Sequence, residues 1–277
     1  VRMLMDLLPN DDVLNRIGSV QPEELTEMES FILGMCESVP NVERRLKSLQ
    51  IYWTFQENIA VHENNLMRQY EAIRGIQNSQ SLVQVLGMIR TIGNFLNHGS
   101  QLGSQHAFEL KSLDVICQVK MTTNKSRNMM DFIIEELARS SPDTLRLPED
   151  LSYLDNARQF NESELKSTSH RLHAEARIVT SLYDELERNC DDPLNEAFCN
   201  TFEDWVAKAK SALDNVDAVQ EELKTRITNV LKSYGPEAVT GGVKIFLTTL
   251  RGFRNNFRLA RENYFARQRR MKKIINV

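Results

Sequence analysis

A chain of 277 residues, 41% hydrophobic and 26% charged, is long enough to bury a sizeable core without disulfides or metal to staple it. Cys36, Cys117, Cys190 and Cys199 stand without CxxC spacing and read as reduced core thiols, and no apolar run approaches the roughly 20 residues of a membrane span. The net charge of −4 hides an asymmetry: residues 251–277 carry +8, with Glu262 as the one acid, which leaves −12 for the rest.

With 11 Gly and 7 Pro and an abundance of Leu, Glu, Lys, Arg, Gln and Met, composition predicts an all-α chain. Pro9, Pro22 and Pro40 are each followed by acids, the pattern of a helix start, so three short helices are expected before a longer one. From Val42, the apolar positions Leu46, Leu49, Trp53, Ile59, Leu66, Tyr70 and Ile73 recur at helical spacing and predict a helix to about Ile76. Asn78 and Ser79 interrupt it, and Leu82 to Leu96 is a second, more apolar helix.

The polar stretch Asn97 to Gln105, with two glycines, predicts a loop. Helices are expected again near Phe108 and Ser126, ending before Pro142 and Pro148. Two long polar patterns, about Asn156 to Arg188 and Leu194 to Ser233, are expected to form an antiparallel pair, separated by the break from Asn189 to Pro193. Tyr234-Gly235-Pro236 stops the second. The last helix then places Phe246, Leu250, Phe253, Phe257, Ala260 and Tyr264 on one stripe, a pattern that more often marks a core than a ligand site. Nothing alternates as a strand would.

The residues Gly93-Asn94-Phe95-Leu96-Asn97-His98-Gly99, followed by Phe108-Glu109-Leu110, resemble the signature of formin homology-two domains. Val39-Pro40-Asn41-Val42-Glu43-Arg44-Arg45-Leu46 is similar to that family's Ile-Pro-x-Leu-x-x-Arg segment. Ser112-Leu113 and Val119-Lys120 fall where the family has Ser-Leu and Asp-Thr-Lys, and Tyr234-Gly235-Pro236-Glu237 resembles its Tyr-Phe-Gly-Glu turn. Ala107 stands in place of a signature glycine, Gln105 in place of a small residue and Gln118-Val119 in place of Asp-Thr, which marks a divergent member.

The resemblance implies an elongated, curved helical rod of knob, coiled-coil section and post. Residues 1–75 would supply the knob and the start of the rod, 76–147 the post, 148–235 the long antiparallel pair, and 236–277 the C-terminal helix with its basic tail. It further implies actin as partner, with nucleation of filaments and binding of their barbed ends by a ring-shaped homodimer closed by an N-terminal lasso. Arg45 and Lys120 would touch actin. Gly93, Asn94, Phe95, Asn97, Gly99, Phe108 and Leu110 would form the loop that receives the lasso. No lasso, linker or first knob helix is recognised before Val1, so these residues alone are expected to be monomeric or weakly associated and impaired in processive elongation. Profilin-actin would be met through segments outside these residues, and the expected location is the cytoplasmic actin cytoskeleton.

Separately from the resemblance, Arg258, Arg261, Arg267, Arg269, Arg270, Lys272 and Lys273 form a basic tail that could attract any polyanion. A helical scaffold or membrane-binding module using this tail is therefore the alternative reading, and an all-helical nucleotide-exchange factor a further one. Nucleic acid is not expected, because the basic residues lie on one helix without interleaved exposed aromatics. His170 and His173 stand i,i+3 without a third ligand, and no phosphate loop, nucleophile elbow or HExxH occurs, so no metal, cofactor or enzymatic activity is expected.

Overall fold

Helices begin where a short polar side chain can satisfy backbone N–H groups that have no partner inside the helix. A computed structural model describes the chain except for residues 102, 123, 156–160, 190 and 276–277 and the side chains of 11 and 273–275. Its helices in chain order are α1 (Arg2–Leu7), α2 (Asp11–Gly18), α3 (Glu27–Ser38), α4 (Val42–Asn78), α5 (Gln80–Leu96), α6 (Ser112–Ile116), α7 (Met129–Ser140), α8 (Leu147–Asp150), α9 (Glu162–Glu187), α10 (Pro193–Ser233) and α11 (Pro236–Ile275). Single 3-10 turns cover Pro22–Glu24, Pro142–Arg146 and Ser152–Asp155. The expected all-α fold is found: among the described residues there is no strand, only the isolated bridge between Lys120 and Asn128.

Local chemistry sets the boundaries. The Asn10 side chain accepts from Val13 N at 3.0 Å and starts α2. Thr26 and Glu29 form a reciprocal capping box at α3, and Asn128 and Asp131 do the same at α7. The helix expected at Pro22 is a 3-10 turn; Thr26, the better cap, delays α3 to Glu27. Likewise α6 starts at Ser112, beyond Phe108, and α7 at Met129, beyond Ser126. The helix foreseen from Asn156 is observed from Glu162, and residues 156–160 lie outside the description.

The chain divides into two compact units. The first comprises Val1–Asn64 and Glu162–Val219. Its core is aromatic: Phe198 stacks on Phe202 at 4.3 Å, and Trp205 meets Phe55 edge-on at 5.1 Å. Ile51, Ile59, Leu172, Val179, Leu182 and Val216 complete it. Trp53 was expected among the inward positions but is 61% exposed. Two residues turn a helix by about 200°, so a helix that buries Phe55 must turn Trp53 outward.

Register in this unit follows from side-chain contacts. Arg45 bonds Asn195, and Glu63 accepts from Asn215 at 3.2 Å, so α4 and α10 run parallel at a nearly constant sequence offset. α9 runs against both, with Arg44 on Glu185 at 2.6 Å and His173 on Asp217 at 3.0 Å. The antiparallel pairing of the two long helices is thus observed within this unit. His62 lies in the same packed section, 1% exposed, with its Nε2 lacking a partner.

The second unit comprises Asn65–Asn161 and Gln220–Val277. Here α11 buries Phe246, Leu250, Phe253, Phe257 and Ala260 of the stripe read from the sequence against α6, α7 and α8, while Tyr264, its last member, is only half-buried. Burying a Phe of this kind stabilises by about 1.5–3 kcal/mol. Tyr234 packs edge-on against Phe246 at 4.9 Å, and burial pushes its hydroxyl up to about 12. α11 is interrupted at Gly242, whose φ of 73° lies outside the helical region. Of the cysteines expected in the core, Cys199 is buried, Cys36 and Cys117 are only half-buried, and Cys190 lies outside the described residues.

Candidate functional site: an apolar groove at the end of α5

The signature residues converge in the second unit. α5 ends at Leu96, and the chain then makes a series of turns that lay residues 105–110 back along the helix. Asn94 holds this return: its Nδ2 donates to Gln105 O at 2.9 Å, and its Oδ1 accepts from Gln105 N at 3.1 Å. The asparagine amide offers both a donor and an acceptor, so it can satisfy the N–H and the C=O of one residue. Arg90 adds a bond to His106 O at 3.2 Å, and Asn97 Nδ2 closes the helix end on Gly93 O at 2.9 Å.

Between α5, this return and α6 and α7 lies a groove of about 660 Å³. Gly93, Asn94, Asn97 and Phe108 line it, with Ile89, Val115, Ile116, Val119, Met129 and Ile133 supplying apolar walls. A second pocket of about 660 Å³ also uses Phe108, and adds Leu110 and Gly87. The half-buried Phe108 ring therefore borders both spaces. Phe95 is 78% exposed and lies outside the lining, whereas Leu96, 60% exposed, forms part of the mouth.

Two glycines there do different work. Gly93 has helical backbone and nothing within 4 Å of where a Cβ would stand, so the fold does not require glycine; its absent side chain leaves the groove open. Gly103, in the polar loop, would place a Cβ 2.4 Å from Asn97 O, so this turn demands glycine. Gly99, at φ 83°, is the third glycine of the turn.

Lys120 is exposed and directly follows Val119 in the groove wall. The segment is pinned by Met129 N to Val119 O at 2.8 Å and Met121 N to Arg127 O at 2.9 Å, so the lysine is carried on a fixed rim. Arg45 is placed otherwise. It belongs to the first unit, is 8% exposed, and donates to Pro40 O and Leu194 O at 2.9 Å each and to Asn195 Oδ1. Its guanidinium also lies over the Phe198 ring at 5.5 Å. Desolvation lowers its pKa, with Asp192 opposing, yet it stays charged in any ordinary buffer. The family resemblance implies that Arg45 touches actin; in the structure its guanidinium is engaged inside its own unit.

The basic tail is also partly committed. Arg261 forms a two-pronged pair with Glu149 at 2.7 Å, Arg267 reaches Asp131 at 3.0 Å, and Arg258 pairs with Glu262 at 3.1 Å. Arg254, buried just before them, joins Asp155 at 2.6 Å. Arg261 holds the Glu149 carboxyl below its usual range, and Arg254 does the same to Asp155. Arg269, Arg270 and Lys272 are exposed, while the Lys273 side chain lies outside the description. Contrary to the expectation, an exposed aromatic stands among the cations: Phe265 is 46% exposed. His170 faces solvent while His173 turns to Asp217. Among the described residues no cluster of three His, Cys, Asp or Glu is set to hold a metal, and no helix is long and apolar enough to cross a membrane.

The chain is similar to several known proteins. Human "Protein diaphanous homolog 3" is 25% identical over 274 residues, 97% of this chain and 22% of that protein. "Formin-F" of Dictyostelium discoideum is 25% identical over 224 residues, covering 81% of this chain and 18% of that protein. Mouse "Disheveled-associated activator of morphogenesis 2" is 25% identical over 248 residues, covering 90% and 22% respectively. The chain thus spans less than a third of the length of each of these relatives. The family model for the Formin Homology 2 Domain matches residues 1–258, a span that takes in the groove, the Asn94 clasp and the Phe stripe through Phe257, and the chain therefore belongs to the formin homology 2 family.

Proposed function

We propose that this chain is an actin-assembly module that nucleates filaments and stays at their barbed ends. The groove bounded by Gly93, Asn94, Asn97 and Phe108 would take an apolar segment of a like chain, closing a homodimer. The observation that supports this most is the groove itself. It is concave and apolar-walled, its mouth exposes Leu96, Val115 and Val119, and Gly93 leaves it open where the fold does not need glycine. Exposed apolar surface of this kind marks protein docking sites. Membership of the formin family supplies actin as the partner.

Lys120, on the pinned rim, is the cation best placed to meet an acidic actin surface, as a compact charge on a long stem. The module does no covalent chemistry. It works by holding actin subunits together, so that part of the association cost is met before they meet one another.

The test measures barbed-end growth of fluorescent filaments and self-association by sedimentation. Lys120→Asp is expected to weaken barbed-end binding about tenfold, the equivalent of roughly 1.4 kcal/mol, with unchanged helicity. Gly93→Leu puts a side chain into the open mouth and is expected to remove the weak self-association that these residues alone can show, without loss of stability. A wild-type protein that leaves barbed-end growth unaltered at micromolar concentration defeats the proposal.

A further inference from the structure

We infer that the distal part of α11 is a docking face for an acidic amphipathic peptide, which seats one apolar side chain on Phe265 and brings its carboxylates to Arg269 and Lys272. This face is separate from the groove and from the family match, which stops at residue 258.

Phe265, Arg269 and Lys272 follow one another at i, i+4 and i+7, so they lie within about 60° of one another on the helix surface. With Arg261, Glu262 and Gln268 they line a shallow depression of about 470 Å³. The charges in it are not equivalent. Arg261 is tied to Glu149, and Glu262 to Arg258, so those carboxylates are already occupied. Among the described residues no carboxylate pairs with Arg269 or Lys272, although the whole chain carries a net charge of −4. The face therefore offers one aromatic anchor flanked by two unneutralised cations, and the complementary ligand is an apolar residue flanked by acids.

The geometry favours a peptide over two other polyanions. In the distal part of this helix the exposed large apolar residues, Leu259, Phe265 and Met271, follow at steps of six, about 120° apart around the axis, so they form no common face to sink into lipid. A single-stranded nucleic acid needs successive stacking platforms, and this face has one ring. With one anchor and two solvent-exposed ion pairs, binding is expected with Kd on the order of 100 µM and with marked salt dependence.

The probe is a fluorescein-labelled 16-residue helical peptide bearing a Leu stripe bordered by Glu, titrated with the whole protein and followed by anisotropy. Polyglutamate of equal charge, phosphatidylserine vesicles and oligo-dT are run alongside. Phe265→Ser is expected to weaken peptide binding about fivefold, and Arg269→Glu with Lys272→Glu at least tenfold, with circular dichroism unchanged because all three side chains are exposed. Polyglutamate should bind more weakly than the peptide and be indifferent to Phe265→Ser. The inference is overturned if polyglutamate matches the peptide, if Phe265→Ser has no effect, or if vesicles or oligo-dT bind more tightly than the peptide.

Discussion

Replacing Arg45 with alanine should unfold the first unit more readily, and the size of the loss follows from its partners. The guanidinium gives bonds to Pro40 O, Leu194 O and Asn195 Oδ1, and its plane covers Phe198. These contacts join the start of α4 to the start of α10, about 150 residues away along the chain. A hydrogen bond from a charged donor is worth about 1.5–3 kcal/mol, and three on one group do not add fully. Truncation also strips a stem and a cation from an aromatic face, worth about 0.5–2 kcal/mol. The expected cost is therefore about 3–5 kcal/mol. Urea unfolding followed by fluorescence reports it, because Trp205 is 5% exposed in this unit. Arg45→Lys should recover less than half, since a point charge cannot serve three divergent acceptors. A loss below about 1 kcal/mol for Arg45→Ala refutes the reasoning. Barbed-end binding that falls without any loss of stability would do so as well, by showing that the residue serves a partner.

His62 is held neutral by burial, with nearby Arg171 lowering its pKa further and Glu63 opposing. The unfolded chain therefore takes up the proton first, and the stability at stake is full above about pH 6.5 and lost as pH falls below it. His62→Leu is expected to raise stability by about 1–2 kcal/mol and to flatten the dependence between pH 7 and 5; a thermal-melt series at stepped pH checks both. Glu149, whose carboxyl Arg261 holds below its usual range, contributes stability that is full above about pH 4.5 and lost on further acidification. Because Glu149 is 57% exposed, Glu149→Gln should cost no more than about 1 kcal/mol at neutral pH and nothing in acid. Asn94→Ala removes both bonds to Gln105, and hydrogen exchange at that amide is expected to quicken about tenfold with little change in global melting.

The sequence by itself determined the helices and marked several residues that line the candidate groove. Spacing located α4, α5, α10 and the Phe stripe of α11 within a few residues, because a helix repeats its inward face by local geometry alone. The Gly-Asn motif and its Phe108 partner were legible as a resemblance, and the structure lays them around one groove. What stayed hidden depends on what each face meets. Trp53 fits an apolar series as well as Phe55 does, and only packing against Trp205 decides that Phe55 is inside. The tail read as a uniform block of charge, yet Asp131, Glu149 and Asp155, more than 90 residues earlier, take up Arg267, Arg261 and Arg254 and leave Arg269 and Lys272 exposed. Arg45 carries a family motif that pointed to the surface, and its burial is set by α10, about 150 residues downstream. Local sequence fixes which way a helix turns its residues; whether a residue meets a neighbour or solvent is decided by chain segments that sequence order keeps far apart.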